Sequence, residues 1–198
     1  PNIAHTSISK LEPYLTEKSV KVATVSGRFY AMDRDNRWER TNQYIDVLTN
    51  QTSQLTDLKE HLQENYNKGV FDEFIPPSAL VDHHPIQSND GVLFFNFRAD
   101  RMIQLVQALT NQVFPHFKQP ITLSPSQIMT LTPYPRIDDK IQALCPPKPI
   151  KQTLSDCLHR ADFTQHRIAE TEKYAHVTYF FNGGSDKKFE NEHHHLIH

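Results

Sequence analysis

The sequence of 198 residues is poor in cysteine and has no long apolar run. Its two cysteines, Cys145 and Cys157, are too few for a disulfide framework and lack the spacing of a zinc site, which suits a reducing compartment such as the cytoplasm. No stretch of about 18 apolar residues occurs, and the N-terminal residues lack the basic and apolar regions of a signal peptide. We therefore expect neither a membrane span nor a signal peptide. Because no methionine begins the chain, we expect an excerpt of a longer polypeptide.

The sequence also lacks an excess of charge of either sign. Its 21 lysines and arginines against 23 acidic residues give a formal net charge of -2, so no overall basic field favours nucleic acid. Any anion site must then be local. The motifs G-x-S-x-G and H-E-x-x-H and the Walker loop are absent as well, so the sequence shows no evident nucleophile.

Strand and helix signals alternate along the chain, which predicts an α/β architecture. Apolar residues at helical spacing predict helices over residues 7–18, 38–50, 54–66, 98–109 and 151–160. Apolar and β-branched runs predict strands over residues 20–27, 91–97, 127–134 and 176–181. Residues 69–81 are expected to be extended, because Pro76 and Pro77 exclude a helix there.

A proline-rich loop near residue 145 predicts a domain boundary. On that basis residues 1–143 form a first domain, residues 144–150 a linker and residues 151–198 a partial second domain. The last residues are expected to be a polar tail.

Two arginines follow the apolar run in "FFNFRADR". If a helix begins near Arg98, then Arg98 and Arg101 lie one turn apart on the same face of its N-terminus. Cations are normally disfavoured there by the helix dipole, whereas a bound phosphate or carboxylate would be held by both guanidiniums and by free N–H groups. The alternative is that the two arginines pair with Asp100 or with other neighbouring acids.

The stretch "SGRFYAMDRDNRWER" places several charges beside aromatic rings. Arg28 follows a glycine at the end of a predicted strand, and Arg34 follows six residues later. We expect nearby side chains to orient these guanidiniums by hydrogen bonds, namely Asp33, Asp35 and Asn36. The alternative is an ordinary charged helix N-terminus, with Trp38 in the core.

The remaining candidates are one lysine and several histidines. Lys173 in "RIAETEKY" precedes the predicted strand 176–181, where its ammonium could reach a phosphoryl oxygen; the alternative is a surface lysine. Adjacent His83 and His84 would point to opposite faces of a strand and could not share a metal ion. The histidines at 193–195 and 198 lie in the predicted tail, and an exposed tail is the alternative to a metal site there.

Three stretches resemble motifs of the cofactor-independent phosphoglycerate mutases of the alkaline-phosphatase superfamily, namely "VATVSGRFYAMDRDNRWER", "FFNFRADR" and "QHRIAETEKYAHVTYFFNGG". The resemblance implies a cytoplasmic, monomeric, two-domain enzyme that interconverts 3- and 2-phosphoglycerate through a phosphoserine, without 2,3-bisphosphoglycerate. One domain would carry two divalent metal ions, which we expect to be Mn²⁺, and the other would clamp the small-molecule substrate. This chain would then cover most of the clamp domain and the start of an alkaline-phosphatase-like α/β metal domain.

The resemblance also implies roles for individual residues. Arg28 and Arg34 resemble substrate-clamp arginines, Arg98 and Arg101 resemble a pair that grips phosphate or carboxylate, and Lys173 resembles a catalytic lysine that contacts the transferring phosphoryl group. The family's serine motif and metal ligands have no counterpart here, so we expect no metal ligand in this chain and no activity from the chain alone. Two alternatives remain, a non-catalytic module that binds a phosphorylated metabolite and a related metal-dependent phosphatase.

Overall fold

The computed structural model describes residues 2–50, 54–111, 113–146, 148 and 150–197. It divides the chain into two units, of which the first ends at residue 146 and the second begins at residue 147. The α-helices in the described residues are α1 Ala4–Glu17, α2 Arg28–Ala31, α3 Trp38–Thr49, α4 Leu58–Asn67, α5 Ile103–Thr110, α6 Leu154–Arg160 and α7 Thr171–Ala175. None of the helices described is both long and apolar enough to cross a membrane.

Three small sheets accompany these helices. Their strands are β1 Thr24–Val25, β2 Gln54–Leu55, β3 Ser78–Leu80, β4 Val92–Phe94, β5 Ile128–Thr130, β6 Gln142–Ala143, β7 Gln165–Glu170 and β8 Glu192–Ile197. The first sheet has the order β1-β3-β2, the second β4-β5-β6, and the third pairs β7 with β8. All pairs are parallel except β1 with β3. The fold is therefore α/β, as the alternating sequence pattern predicts.

Strand β1 is much shorter than the predicted strand over residues 20–27. It pairs antiparallel with β3, with Thr24 opposite Ala79. Continuing this register would place the next two residues opposite Pro77 and Pro76, which have no N–H to donate. The ladder therefore ends at Val25, and the chain turns into α2.

The larger core of the first unit forms around α5. Ile103, Val106 and Leu109 on this helix are buried and pack with Ile45 of α3 and Phe94 of β4. Burial of such side chains contributes roughly 1.5–3 kcal/mol each. This core holds helix α5 in place, and it therefore also fixes the positions of the residues at the N-terminal end of the helix.

A smaller core lies under α4. Leu58 and Leu62 pack with Ile75, and Ile8 of α1 covers them. The predicted helix over residues 54–66 begins later than expected, because the Asp57 side chain accepts the backbone N–H groups of the first turn and caps α4.

The start of the predicted helix 98–109 also differs from expectation. Arg98 is extended, Ala99–Arg101 form a 3₁₀ turn, and α5 begins only at Ile103. Such turns are common at helix N-termini. The two arginines are consequently carried by the turn before α5 and not by the helix itself.

The second unit corrects two predictions. The predicted strand 176–181 is helical, with a π-helical turn over His176–Phe180, and the predicted polar tail contains strand β8. Aromatic and β-branched residues favour strands only where a pleated, half-buried surface receives them. Here β8 pairs with β7 over six residues, and the Thr178 hydroxyl donates to the Tyr174 carbonyl within the helical segment.

Candidate anion-binding site

Arg28 is positioned by a close approach of two backbone segments. A Cβ added at Gly27 would lie 2.3 Å from the carbonyl oxygen of Glu73, so only glycine fits there. The Gly27 N–H donates to the Ile75 carbonyl at 2.8 Å, which fixes the contact. Arg28 begins α2 directly afterwards, and its Nη2 donates to Glu73 Oε2 at 2.9 Å.

Arg34 lies in a loop that a buried aspartate folds. The Asp33 carboxylate accepts the backbone N–H groups of Asp35 at 3.1 Å and of Arg37 at 2.9 Å. Asn36 takes the left-handed backbone conformation with φ of 58°, which asparagine tolerates better than most residues. We call residues 32–37 the Arg34 loop. Beyond the loop, Arg34 Nη1 donates to Asp100 Oδ2 at 2.8 Å.

Arg98 shares the same aspartate. The Asn96 side chain accepts the Arg98 backbone N–H at 2.8 Å, and Arg98 Nε donates to Asp100 Oδ1 at 3.0 Å. Partial burial pushes the pKa of Asp100 up, but hydrogen bonds from Arg98 and Arg34 outweigh it and hold the pKa below its usual value. Asp100 is therefore ionised at neutral pH and bridges two guanidiniums.

Arg101 lies close to the other three arginines. Its Nη1 donates to the Met32 carbonyl at 3.1 Å. Burial lowers the pKa of its guanidinium, and the positive charges of Arg34, Arg98 and Arg28 lower the pKa further. We call Arg28, Arg34, Arg98 and Arg101 the arginine cluster. Within it Arg28 pairs with Glu73, and Arg34 and Arg98 both pair with Asp100.

This arrangement has the composition of an anion site. The Arg28 and Arg98 side chains stay 59% and 51% exposed in these pairs, and arginine forks match the oxygens of phosphate and carboxylate. The structure thus brings together four of the residues singled out in the sequence. The pairing with Asp100, expected as an alternative to anion binding, is also present.

The structure adds ion-pair partners that the sequence expectation did not name. Arg28 pairs with Glu73 and Arg34 with Asp100, which lie 45 and 66 residues away along the chain. The Asp33 carboxylate accepts backbone N–H groups and also pairs with Arg40 at 3.6 Å. Sequence reasoning did not identify Glu73, because nothing in its local pattern indicates such a distant contact.

Lys173 belongs to the second unit. It lies in the short helix α7, which follows strand β7, so the expected position before a strand is wrong. The side chain is exposed, and no ion pair to it is found in the described ranges.

The centre of the second unit holds a buried charged network instead. Glu192 is fully buried, with Arg167 Nε at 3.7 Å and His194 Nε2 at 2.6 Å. The Asn182 amide donates to the same carboxylate at 3.3 Å. Burial pushes the pKa of Glu192 up, but the contacts with His194, Asn182 and Arg167 outweigh burial and hold the pKa below its usual value.

The histidines do not form a metal centre in the residues described. His83 is buried and His84 exposed. His166 and His195 lie on the exposed face of the β7–β8 sheet, with 3.0 Å between Nδ1 and Nε2, and His193 stacks on His166. Across the described part of the chain no group of three or more His, Cys, Asp or Glu residues could hold a metal ion.

Comparison with known proteins shows relatives over most of the chain. Residues 1–136 match the family model described as "BPG-independent PGAM N-terminus (iPGM_N)". The chain is 39% identical over 187 residues to a 2,3-bisphosphoglycerate-independent phosphoglycerate mutase of Campylobacter jejuni, covering 93% of this chain and 37% of that protein. It is 44% identical over 180 residues to the enzyme of that name from Gracilaria tenuistipitata var. liui, covering 90% and 34%.

The fold is also similar to that of a solved structure. A crystal structure of Leishmania mexicana phosphoglycerate mutase at low cobalt concentration matches with a TM-score of 0.73 and 22% identity, over 98% of this chain and 39% of that one. The chain therefore spans little more than a third of the length of the proteins it matches. Together with the motifs of the arginine cluster, these matches show that the chain belongs to the family of 2,3-bisphosphoglycerate-independent phosphoglycerate mutases.

Proposed function

We propose that this chain supplies the arginine clamp of an enzyme that interconverts 3-phosphoglycerate and 2-phosphoglycerate, a step of glycolysis and gluconeogenesis, through a phosphoserine intermediate. The observation that carries the proposal is the arginine cluster, in which Arg28, Arg34 and Arg98 stay partly open to solvent while they pair with Glu73 and Asp100. Membership of the family supports it. Residues 1–143 would form the substrate-binding domain, residues 144–150 the linker and residues 151–198 part of the metal domain.

The substrate's charge matches the cluster. A phosphoglycerate carries a carboxylate and a phosphate whose charge is about -1.5 to -2 at neutral pH. Several fixed guanidiniums can neutralise both groups, and phosphoryl transfer depends more on charge neutralisation and positioning than on covalent chemistry from the protein. A clamp that holds the carboxylate also leaves the hydroxyls free, so the glycerate can turn to present either one.

Lys173 is proposed to contact the transferring phosphoryl group. An exposed ammonium on a short helix is available for that contact, and lysine acts as a compact point charge towards phosphate. Two divalent metal ions, Mn²⁺ in the proposal, would neutralise phosphoryl charge when bound to the full-length enzyme. The described residues offer no group that fits such ions, so none of the steps assigned to this chain involves a metal.

The remaining assignments follow from the proposed enzyme. We place it in the cytoplasm as a monomer that acts on a small molecule without nucleic acid or membrane. The two exposed cysteines and the balanced charge support this placement.

The proposal is tested by calorimetric titration of 3-phosphoglycerate into this chain. Arg98→Ala removes charge-assisted hydrogen bonds worth about 1.5–3 kcal/mol, so affinity is expected to fall roughly 10- to 100-fold. Lys21→Ala is the matched control, because Lys21 pairs with Asp82 on the exposed surface of the same unit. The affinity of the Lys21→Ala variant for 3-phosphoglycerate is expected to be unchanged.

Three outcomes would contradict the proposal. The first is that the wild-type chain does not bind 3-phosphoglycerate. The second is that Arg98→Ala binds it as tightly as the wild-type chain does. The third is that the chain releases inorganic phosphate from 3-phosphoglycerate, as measured by ³¹P NMR. That result would favour the phosphatase alternative. Binding without isomerisation is expected from the chain alone.

A further inference from the structure

The Arg34 loop contacts one short segment, residues 100–104, at several points. Arg101 donates to the Met32 carbonyl at 3.1 Å, and Asp100 pairs with the Arg34 guanidinium at 2.8 Å. The third point is Gln104 in the first turn of α5. The segment that carries Arg101 therefore also determines where Arg34 lies.

Gln104 joins the two sides of the Arg34 loop through a buried amide. Its Oε1 accepts the Asn36 backbone N–H at 2.9 Å. Its Nε2 donates to Asp33 Oδ2 at 3.0 Å and to Thr41 Oγ1 at 3.2 Å. Only 5% of Gln104 is exposed, so these hydrogen bonds take the place of water.

An amide is the group that this position requires. The site needs one acceptor and two donors at the end of a side chain of this length, and glutamine provides both. A glutamate would place a second carboxylate against Asp33, and a methionine would leave the Asn36 N–H and the Asp33 carboxylate with one partner fewer. Loss of a buried hydrogen-bond partner costs more than the bond itself contributes.

The contacts of Gln104 lie on either side of Arg34 in sequence. Asp33 precedes Arg34, and Asn36, in the left-handed conformation, follows it two residues later. The packed core around α5 holds Gln104 in place. Gln104 therefore fixes the backbone that carries Arg34, while Asp100, four residues earlier, holds the guanidinium.

We propose that Gln104 is a positioning residue of the anion clamp. It fixes the position of Arg34 relative to Arg98 and Arg101 without touching the ligand. The inference rests on the proposed function, because it assumes that the arginine cluster binds the anion. It adds an uncharged residue whose effect on binding passes through Arg34.

The test is a double-mutant cycle with 3-phosphoglycerate as the ligand and the chain as it stands. Gln104→Met is expected to weaken binding on the order of tenfold in the wild-type background, and to have no further effect in the Arg34→Ala background. Gln107→Met is the matched control, because this amide on the same helix donates to the Arg136 carbonyl, outside the Arg34 loop. A merely structural role would weaken binding equally in both backgrounds.

A second variant keeps the size of the side chain in case Gln104→Met does not fold. Gln104→Glu is expected to bind weakly when the new carboxylate is ionised beside Asp33. Binding relative to wild type should recover as the pH falls, because a protonated glutamate again donates to Asp33. Gln107→Glu should show no such recovery.

The outcomes separate the inference from the proposed function. If Arg34→Ala binds as well as wild type, the arginine assignment itself is wrong. If Arg34→Ala binds weakly while folded Gln104→Met and Gln104→Glu bind as wild type does, the inference alone is wrong. It is also wrong if the effect of Gln104→Met is the same in both backgrounds.

Discussion

The ion pairs of the arginine cluster stay open to solvent, whereas the central ion pair of the second unit is closed to it. The Arg98 side chain is 51% exposed although it pairs with Asp100, and the Glu192 side chain is 0% exposed between Arg167 and His194. A ligand can reach the first kind of pair and cannot reach the second. In our proposal the same residue types therefore serve ligand binding in one unit and stability of the fold in the other.

The balance of charge differs in the same way. In the arginine cluster three of the four guanidiniums pair with two carboxylates, and Arg101 donates to a backbone carbonyl. In the second unit a single carboxylate receives Arg167, His194 and Asn182, so its acceptor capacity is taken up within the fold. Exposure and the number of partners distinguish the two roles, and residue type does not.

The largest effect on stability is expected from a substitution that breaks the buried network. Glu192→Ala leaves Arg167 buried without its counter-charge, and such a loss costs about 3–5 kcal/mol. Urea denaturation, followed by the amide signals of β7 and β8, should show this loss in the free energy of unfolding. Affinity of the arginine cluster for 3-phosphoglycerate should not change. A loss below about 1 kcal/mol would contradict the structural role given to Glu192.

Acid is expected to have a smaller effect on the same network. Because the pKa of Glu192 in the fold lies below its usual value, its contribution to stability is present above that usual value and is lost as the pH falls through the folded-state pKa. The same urea experiment, repeated from neutral pH to about pH 3, measures the loss. Glu192→Gln should remove this part of the pH dependence. An unchanged pH dependence in that variant would assign the acid sensitivity to other groups.

The smallest effect is expected at an exposed ion pair of the second unit. Arg160 pairs with Asp156 one helical turn away, at 2.8 Å, and its side chain is largely exposed. Arg160→Ala should change the free energy of unfolding by no more than about 0.5 kcal/mol. This variant is the matched control for Glu192→Ala. An equal loss in both variants would remove the distinction between buried and exposed pairs.

The sequence predicts the α/β class and several helices well, because those depend on local periodicity. Helix α3 lies where the spacing of Tyr44, Ile45 and Leu48 predicts it. Resemblance and spacing also identify the four arginines that the structure brings together. Arg98 and Asp100 are close in sequence, so their pairing could be anticipated as an alternative.

The rest depends on contacts that no local pattern shows. Glu73 and Gln104 are distant in sequence from the residues they contact, Arg28 and Asn36, and these contacts arise only when the backbones meet. The helical turn over His176–Phe180 shows that tertiary context overrides strand propensity. The same holds for the apparent polar tail, which becomes strand β8 because β7 offers it a partner.

The central claim is that the four arginines bind one anion as a unit. It is tested most directly by NMR of the arginine Nε–Hε groups in this chain during a titration with 3-phosphoglycerate. The account predicts that the signals of Arg28, Arg34, Arg98 and Arg101 shift with one shared Kd while the signal of Arg160 does not move. Shifts with unrelated Kd values, or an equal shift of Arg160, would contradict it.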